Sequence, residues 1–500
     1  MANIELRQYQ IDSVEGLRKS LRSGHKKPIL VSPTGSGKSI TAGQIISGLL
    51  GNDKKVLWMV HRRNLVFDMR EKLMEKFNID AGIIMAGVKS ELDKQVQLCS
   101  IWTYNRRLDI EDLAWNRFFY DADAVLVDEC QHAVSKSYKD IIKLYNDKII
   151  IGFTATPCRG DGRGLGEVFD DLVIGPTVKT LTEQGYLSPV RYFVPKKIDL
   201  EGVPITMGDY QVDALGKKMT NKKLIGDIVE NWLRIGENRN TLVYTVDVRH
   251  SIAIQEAFEK AGIRTARLDA RSSDEERDEA FNDLKNGRIS VVINIALYLE
   301  GLDVSNISCV VFARPTKSLG LYRQAGGRGL RIEDGKENLI FLDHANVVSE
   351  FGFLDFETEW TLDGKKLAWS KPKRVDVEKM VHCRACGLVF KGSSICPDCG
   401  TEVCSFGRDI KTVEAELEEL KAKEKKVDGP IEKRIFLGMI KHWLPLQKNP
   451  NPKRIYGIFK GKYGHYPHAS YSDVAPIEPS PEFLNYMKYQ QIKYAKRRNK

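Results

Sequence analysis

The chain has 500 residues, 42% of them hydrophobic, with a mean hydropathy of −0.34 and a net charge of +10. This length exceeds what one core can organise and predicts roughly two to four domains. No apolar run reaches the ~18 residues of a membrane span, and Met1-Ala2-Asn3-Ile4-Glu5 lacks signal-peptide character, so the expected setting is the cytoplasm with no membrane partner. Four of the nine cysteines cluster, which argues against a disulfide framework. The positive balance points, weakly at this length, to a polyanionic partner.

In chain order, a short helix is expected around Ile4 to Gln10, where Arg7 and Gln10 precede a phosphate-binding pattern. An amide side chain suits the adenine edge, because it both donates and accepts. Pro28-Ile29-Leu30-Val31 reads as a buried strand and Ile40 to Ile46 as the start of a helix. Between them lies Ser32-Pro33-Thr34-Gly35-Ser36-Gly37-Lys38-Ser39. Gly35 and Gly37 let successive N–H groups, together with the helix N-terminus, face one anion. In such a loop Thr34 to Gly37 cradle phosphates, Lys38 reaches the β/γ-phosphates and Ser39 holds Mg²⁺. Ser32 stands where the pattern usually has its first glycine.

Val56 to Val60 is a second buried strand, ending in His61-Arg62-Arg63, and Gln95 to Cys99 is another, followed by Ser100 and Thr103. Polar groups at the C-terminal edge of a parallel sheet face the ligand crevice, so these are candidate nucleic-acid contacts. Ala124 to Val127 delivers Asp128 and Glu129 to the same edge, then Cys130-Gln131-His132. Asp128 is a candidate Mg²⁺ ligand, and Glu129 a candidate base for the attacking water. Lys148 to Phe153 ends in Thr154-Ala155-Thr156-Pro157, whose hydroxyls could sense a γ-phosphate.

Gln10, the phosphate loop, Asp128-Glu129 and Thr154-Ala155-Thr156 follow the motif order of the superfamily 2 helicases of the DEAD/DEAH type, which this chain resembles. That resemblance implies two tandem RecA-like parallel-sheet domains, an α/β fold, and ATP-driven movement on nucleic acid. The family usually has Asp-Glu-x-His or Asp-Glu-Ala-Asp. Here Gln131 holds the fourth place with His132 after it, and the pattern leaves open which of them bridges the acids to the threonine loop.

Residues 181–200, with Gly185 and Pro189, read as a hinge, separating domain 1 (1–180) from domain 2 (201–348). In the second half, strands are expected at 241–245, 264–268, 289–294, 309–312 and 338–342, alternating with helices. Tyr322 to Arg331 fits the Gln-x-x-Gly-Arg-x-x-Arg motif. The resemblance implies that Gln324, Arg328 and Arg331 face ATP held by the other domain. It also sets Gly301 and Asp303 beside the nucleotide, and Thr245 on the nucleic acid. Arginines arriving across a cleft couple its closure to hydrolysis. Within the superfamily, Arg314 to Ser318, Gly329 to Arg331 and Leu342-Asp343-His344 resemble bacterial and phage DNA-repair helicases of the RadD-like branch. The partners so implied are single-stranded, forked or branched DNA and single-strand-binding or recombination proteins, in a bacterial or phage-infected cell. An RNA helicase and an ATP-gated clamp without unwinding are the rival readings.

After a linker at 349–380, Cys383-x-x-Cys386 and Cys396-x-x-Cys399 make a zinc ribbon (381–405) with a Cys₄ site for Zn²⁺. Residues 406–429 read as a charged helix. The tail 430–500 holds fourteen Lys and Arg against four acids, an excess equal to the charge of the whole chain. Trp443, Tyr456, Phe459, Tyr463, Tyr466 and Tyr471 lie among them. A small helical nucleic-acid-binding domain is expected, with the aromatics stacking on bases; a small aromatic core under a basic skin is the alternative.

Overall fold

The computed structural model describes residues 4–108, 116–194, 200–206, 208–295, 306–363, 380–383, 385–391, 394–403 and most of 430–487. Domain 1 is built on β1 (Pro28–Val31), β2 (Val56–Val60), β3 (Gly82–Ile84), β4 (Val96–Ser100), β5 (Ala124–Asp128), β6 (Ile149–Thr154) and β7 (Asp171–Ile174). Its helices are α1 (Gln8–Arg22), α2 (Lys38–Leu50), α3 (Arg63–Phe77), α4 (Ile101–Arg107) and α5 (Lys136–Leu144). The strands form one all-parallel sheet in the order β3-β4-β2-β5-β6-β1-β7. Every residue of β1, β2 and β4 is buried, because helices cover both faces of the sheet. One face packs Leu57, Val125 and Ile150, the other Trp58, Leu126 and Phe153. Each such side chain contributes about 1.5–3 kcal/mol on leaving water.

Domain 2 begins earlier than its expected boundary. The stretch expected as a hinge holds the end of α6 (Val178–Glu183) and β8 (Val190–Phe193), which pairs in parallel with the last strand of the domain. A two-stranded hairpin, β9 (Ile205–Thr206) and β10 (Asp209–Tyr210), follows. Then come α7 (Val212–Met219), α8 (Lys222–Ile235), β11 (Thr241–Thr245), α9 (Val248–Lys260), β12 (Thr265–Leu268), α10 (Asp274–Lys285), β13 (Val291–Ile295), β14 (Cys309–Phe312), α11 (Leu319–Arg328), β15 (Leu339–Asp343) and α12 (Val347–Phe351). All five strands expected here are present, within a residue or two at each end.

The cysteine-rich ribbon does not stand apart. Its hairpin, β16 (Met380–His382) and β17 (Leu388–Lys391), adds to the sheet of domain 2, giving the order β12-β13-β11-β14-β15-β8-β17-β16. β17 runs antiparallel to β8, and Cys383, Leu388, Cys396 and Val403 share a core with Phe193, Trp232 and Ile340. A segment too short for its own core borrows one.

The start of the expected linker is also packed. Phe351, Phe353 and Leu354 enter the core of domain 2, and Trp360 touches the cores of both domains. Farther on, Asp363 and Leu362 accept hydrogen bonds from the Gly164 and Gly166 amides of domain 1, at 2.8 and 2.9 Å. The expected charged helix, 406–429, lies outside the described residues.

Residues 409–500 form a separate unit. Here α13 (Pro430–Trp443) and α14 (Arg454–Tyr463) enclose a core of Phe436, Ile440, Trp443, Phe459 and Phe483. Trp443 and Phe459 are therefore not open to bases, and Tyr463 and Tyr471 pack partly against them, whereas Tyr456 and Tyr466 are exposed. An apolar nucleus this small needs its aromatics inside.

Candidate nucleotide site

The phosphate loop leaves β1 at its C-terminal end and enters α2. Gly35 and Gly37 take φ of +87° and +80°, the left-handed region that favours glycine. Ser32 and Ser36 hydroxyls lie 2.7 Å apart, so serine fits the place of the usual glycine by bracing the turn. Lys38 is half-buried and donates to the Ser32 and Pro33 carbonyls at 3.2 and 3.3 Å, lying along the loop. Desolvation draws its ammonium below the ordinary lysine range, offset in part by Glu129 and Asp128; Arg328 and Arg331 push it further down.

Gln10 is buried against the loop, where a Cβ on Gly37 would lie 2.8 Å from its Nε2. Its Oε1 accepts from the Arg7 amide at 3.0 Å, which fixes the amide. Tyr9 donates to the Ser36 carbonyl, and the Arg7 guanidinium sits 4.3 Å over the ring of Tyr186. Tyr9 and Tyr186 were not legible as site residues, since the ring pairs with Arg7 across most of domain 1 in sequence.

At the end of β5, Glu129 has φ 46°, a left-handed turn costing on the order of 1–3 kcal/mol for a non-glycine. Gln131 Nε2 donates to Glu129 at 3.0 Å, and Thr154 donates to Gln131 Oε1 at 2.7 Å. The Thr156 amide in turn donates to the Thr154 hydroxyl at 3.0 Å. Gln131 is thus the bridge between the acids and the threonine loop. The His132 ring lies elsewhere, 4.7 Å from that of His61, whose Nε2 accepts from Arg62.

Helix α11 of domain 2 closes the cleft from the other side. A Cβ on Gly327 would fall 2.6 Å from Thr34 Cβ, and one on Gly35 only 3.6 Å from Arg331 Cγ. One on Gly320 would meet the Thr156 hydroxyl at 3.5 Å. Gln324 and Arg328 are buried in this contact. Both arginines therefore face the loop that holds Lys38. Gly301 and Asp303 lie outside the described residues.

Of the expected nucleic-acid contacts, Arg63 is exposed, and His61, Arg62 and Thr103 are half-buried at the same sheet edge. Arg63 donates to the Ala86 carbonyl, and the Ala86 amide donates to Thr103. Thr245 is a correction: it is fully buried in the central strand β11, with its hydroxyl given to the Asn294 carbonyl.

The four sulfurs of Cys383, Cys386, Cys396 and Cys399 lie within 4.8 Å of one another, with pairs at 3.5 and 3.6 Å. Thiolates about 2.3 Å from a tetrahedral Zn²⁺ stand at nearly this spacing, so the residues fit the ion.

Two parallel-sheet lobes, one with a phosphate loop and one presenting arginines to it, have the two-domain architecture of the P-loop NTPase class. The family described as "Type III restriction enzyme, res subunit" matches residues 3–159, and "Helicase conserved C-terminal domain" matches residues 222–333. The chain belongs to the superfamily 2 helicases. It is 27% identical over 458 residues to a 51.5 kDa protein of a Lactococcus phage, covering 90% of this chain and 95% of that one. It is 30% identical over 363 residues to IRC3, a candidate ATP-dependent helicase of Saccharomyces cerevisiae. That match covers 69% of this chain but only 52% of the yeast protein. The fold also resembles a fragment of an HsdR subunit of a type I restriction enzyme from Vibrio vulnificus, with a TM-score of 0.53 and 19% identity, over 69% of this chain and 66% of that one.

Proposed function

We propose that the chain is a nucleic-acid-stimulated ATPase that translocates on DNA, with branched or partly single-stranded DNA as its substrate. The observation that supports this most is the seating of α11 against the phosphate loop, with Gly327 at Thr34 and Arg331 beside Gly35. In this reading Lys38 grips the β/γ-phosphates, and Ser39 and Asp128 would hold Mg²⁺, which shields phosphate charge. Glu129 orients and deprotonates the attacking water. Arg328 and Arg331 neutralise charge developing on the γ-phosphoryl group as it passes to water and ADP departs. The Glu129–Gln131–Thr154–Thr156 chain passes the state of that group to α11 at Gly320.

DNA is favoured over RNA by the restriction-enzyme family matching residues 3–159, and the basic tail suits either polyanion. Cys383, Cys386, Cys396 and Cys399 would hold Zn²⁺, which would complete the fold of the ribbon. A role in replication, recombination or repair, as in the RadD-like branch, follows from the same resemblance. The test is ATPase activity with single-stranded, duplex, forked and four-way DNA and matching RNAs. Strongest stimulation by a branched or single-stranded DNA is expected. Stimulation by RNA alone, or by nothing, overturns the reading, and ATP-dependent affinity without strand displacement makes the chain a clamp.

A further inference from the structure

Strand β8 touches two places that have no obvious business with each other. Just before it, the Ser188 amide donates to the Leu330 carbonyl at 2.7 Å and the Ser188 hydroxyl to the Arg331 carbonyl at 3.2 Å. Leu187 forms a β-bridge with Arg331 and reaches within 3.0 Å of where a Gly35 Cβ would lie. The chain entering β8 therefore forms the seat on which the Arg331 backbone rests beside the phosphate loop. At the far end of β8, roughly 20 Å along an extended chain, the Val194 amide donates to the Gly387 carbonyl in the first cysteine knuckle. Phe193 and Tyr192 pair with Leu388 and Val389 of β17. From the middle of the strand, Arg191 pairs with Asp398, inside the second knuckle, and with Glu237.

β8 is thus an interior strand only because the cysteine hairpin lies beside it. Without that hairpin it becomes a sheet edge with one row of unpaired amides and carbonyls. It also loses the cover of Cys383, Leu388, Cys396 and Val403 over Phe193 and Ile340. We propose that the Cys₄ knuckle is a positioning device for the nucleotide site: by fixing β8 it holds the Leu330–Arg331 backbone against the phosphate loop. The inference rests on reading Arg331 as a nucleotide contact. It assigns the ribbon's metal to the ATPase machinery rather than to DNA recognition, with Arg191 and Ser188 as positioning residues.

The test uses the full chain with its zinc content measured, the same chain after chelation, and the variants Arg191→Ala and Cys396→Ser. Affinity for ADP is compared with affinity for ADP–aluminium fluoride, which mimics the transferring phosphoryl group, and hydrogen exchange is followed at the Ser188 and Val194 amides. Metal loss or Cys396→Ser should leave ADP binding unchanged, weaken the aluminium fluoride complex roughly 10-fold and release protection at Ser188. kcat should fall by a similar factor at near-constant KM for ATP. Arg191→Ala should do the same more weakly with zinc retained, which decides the matter where Cys396→Ser does not fold. Unchanged exchange and unchanged nucleotide discrimination after metal loss overturn the inference, as does a loss confined to DNA affinity. A wild-type chain that no nucleic acid stimulates refutes the proposed function instead, while exchange at Ser188 still decides the coupling.

Discussion

Domains 1 and 2 are both sheets buried on two faces, with parallel core strands feeding polar residues to a C-terminal edge, yet they spend that edge differently. Domain 1 puts a glycine-bearing loop after β1 and two acids, Asp128 and Glu129, at the end of β5. Domain 2 packs α11 through Gly320 and Gly327 closely enough to bring Arg328 and Arg331 beside the phosphate loop. Under the proposed function, one lobe acts as a receptor and the other as a trigger. The same fold serves both because the site lies in the connections and not in the strands.

The sharpest way to break that division is at the charges. Lys38→Ala should lose ATP binding and hydrolysis together. Arg328→Ala should keep ATP binding and lose about 10³–10⁵ in kcat, read by nucleotide titration beside steady-state ATPase. Retained DNA-stimulated turnover in either variant removes the mechanism.

Next comes the fit between lobes. Gly327→Ala adds a carbon where Thr34 already stands. A displacement near 1 Å should cost on the order of 10²-fold in kcat, with ADP affinity and the thermal midpoint little changed. A second variant pair sharpens the comparison within domain 1. Gln131→Ala should cut nucleic-acid stimulation about tenfold while basal turnover persists, since it severs the link from Glu129 to Thr154. His132→Ala should leave that link intact and show itself in nucleic-acid affinity.

The smallest effect is on stability and belongs to domain 2. Burial lowers the His250 imidazole to about 4 and that of His344 to about 3. In the unfolded chain both take up protons near pH 6.5. The unfolded state then binds more protons below that pH, so stability falls on acidification from about pH 6.5 towards 4. At pH 5 each should cost about 1–2 kcal/mol. Burial raises the neighbouring Asp343 carboxyl to about 6, which works the other way and offsets part of this loss. Thermal unfolding from pH 7 to 5 should show the net slope, and His344→Gln should lower the acid-side loss relative to wild type.

What was legible in the sequence follows the range of the interactions. The phosphate loop, Asp128-Glu129, the threonine loop and the paired cysteines are short contiguous strings whose spacing carries their chemistry. The choice of Gln131 over His132 was not legible, because it depends on which side chain the short turn after β5 aims at Thr154. Thr245 was misjudged because a hydroxyl at a strand end reads alike whether it meets solvent or a neighbouring carbonyl. The role of β8 was invisible for a different reason: its partners lie about 150 and 200 residues downstream, and Gly185 and Pro189 around it suggest a hinge.

The passage from Phe351 to Asp363 has a mechanical corollary. It is rooted in one lobe by Phe353 and Leu354 and fastened to the other at Gly164 and Gly166, with Arg323 donating to Phe356 and Thr358 midway. Gaping of the jaws has to draw this cord taut or unpick it. Under the proposed function, the opening available between the lobes is therefore bounded by a dozen residues, several of which line the same pocket as Pro33, Thr34 and Gly327.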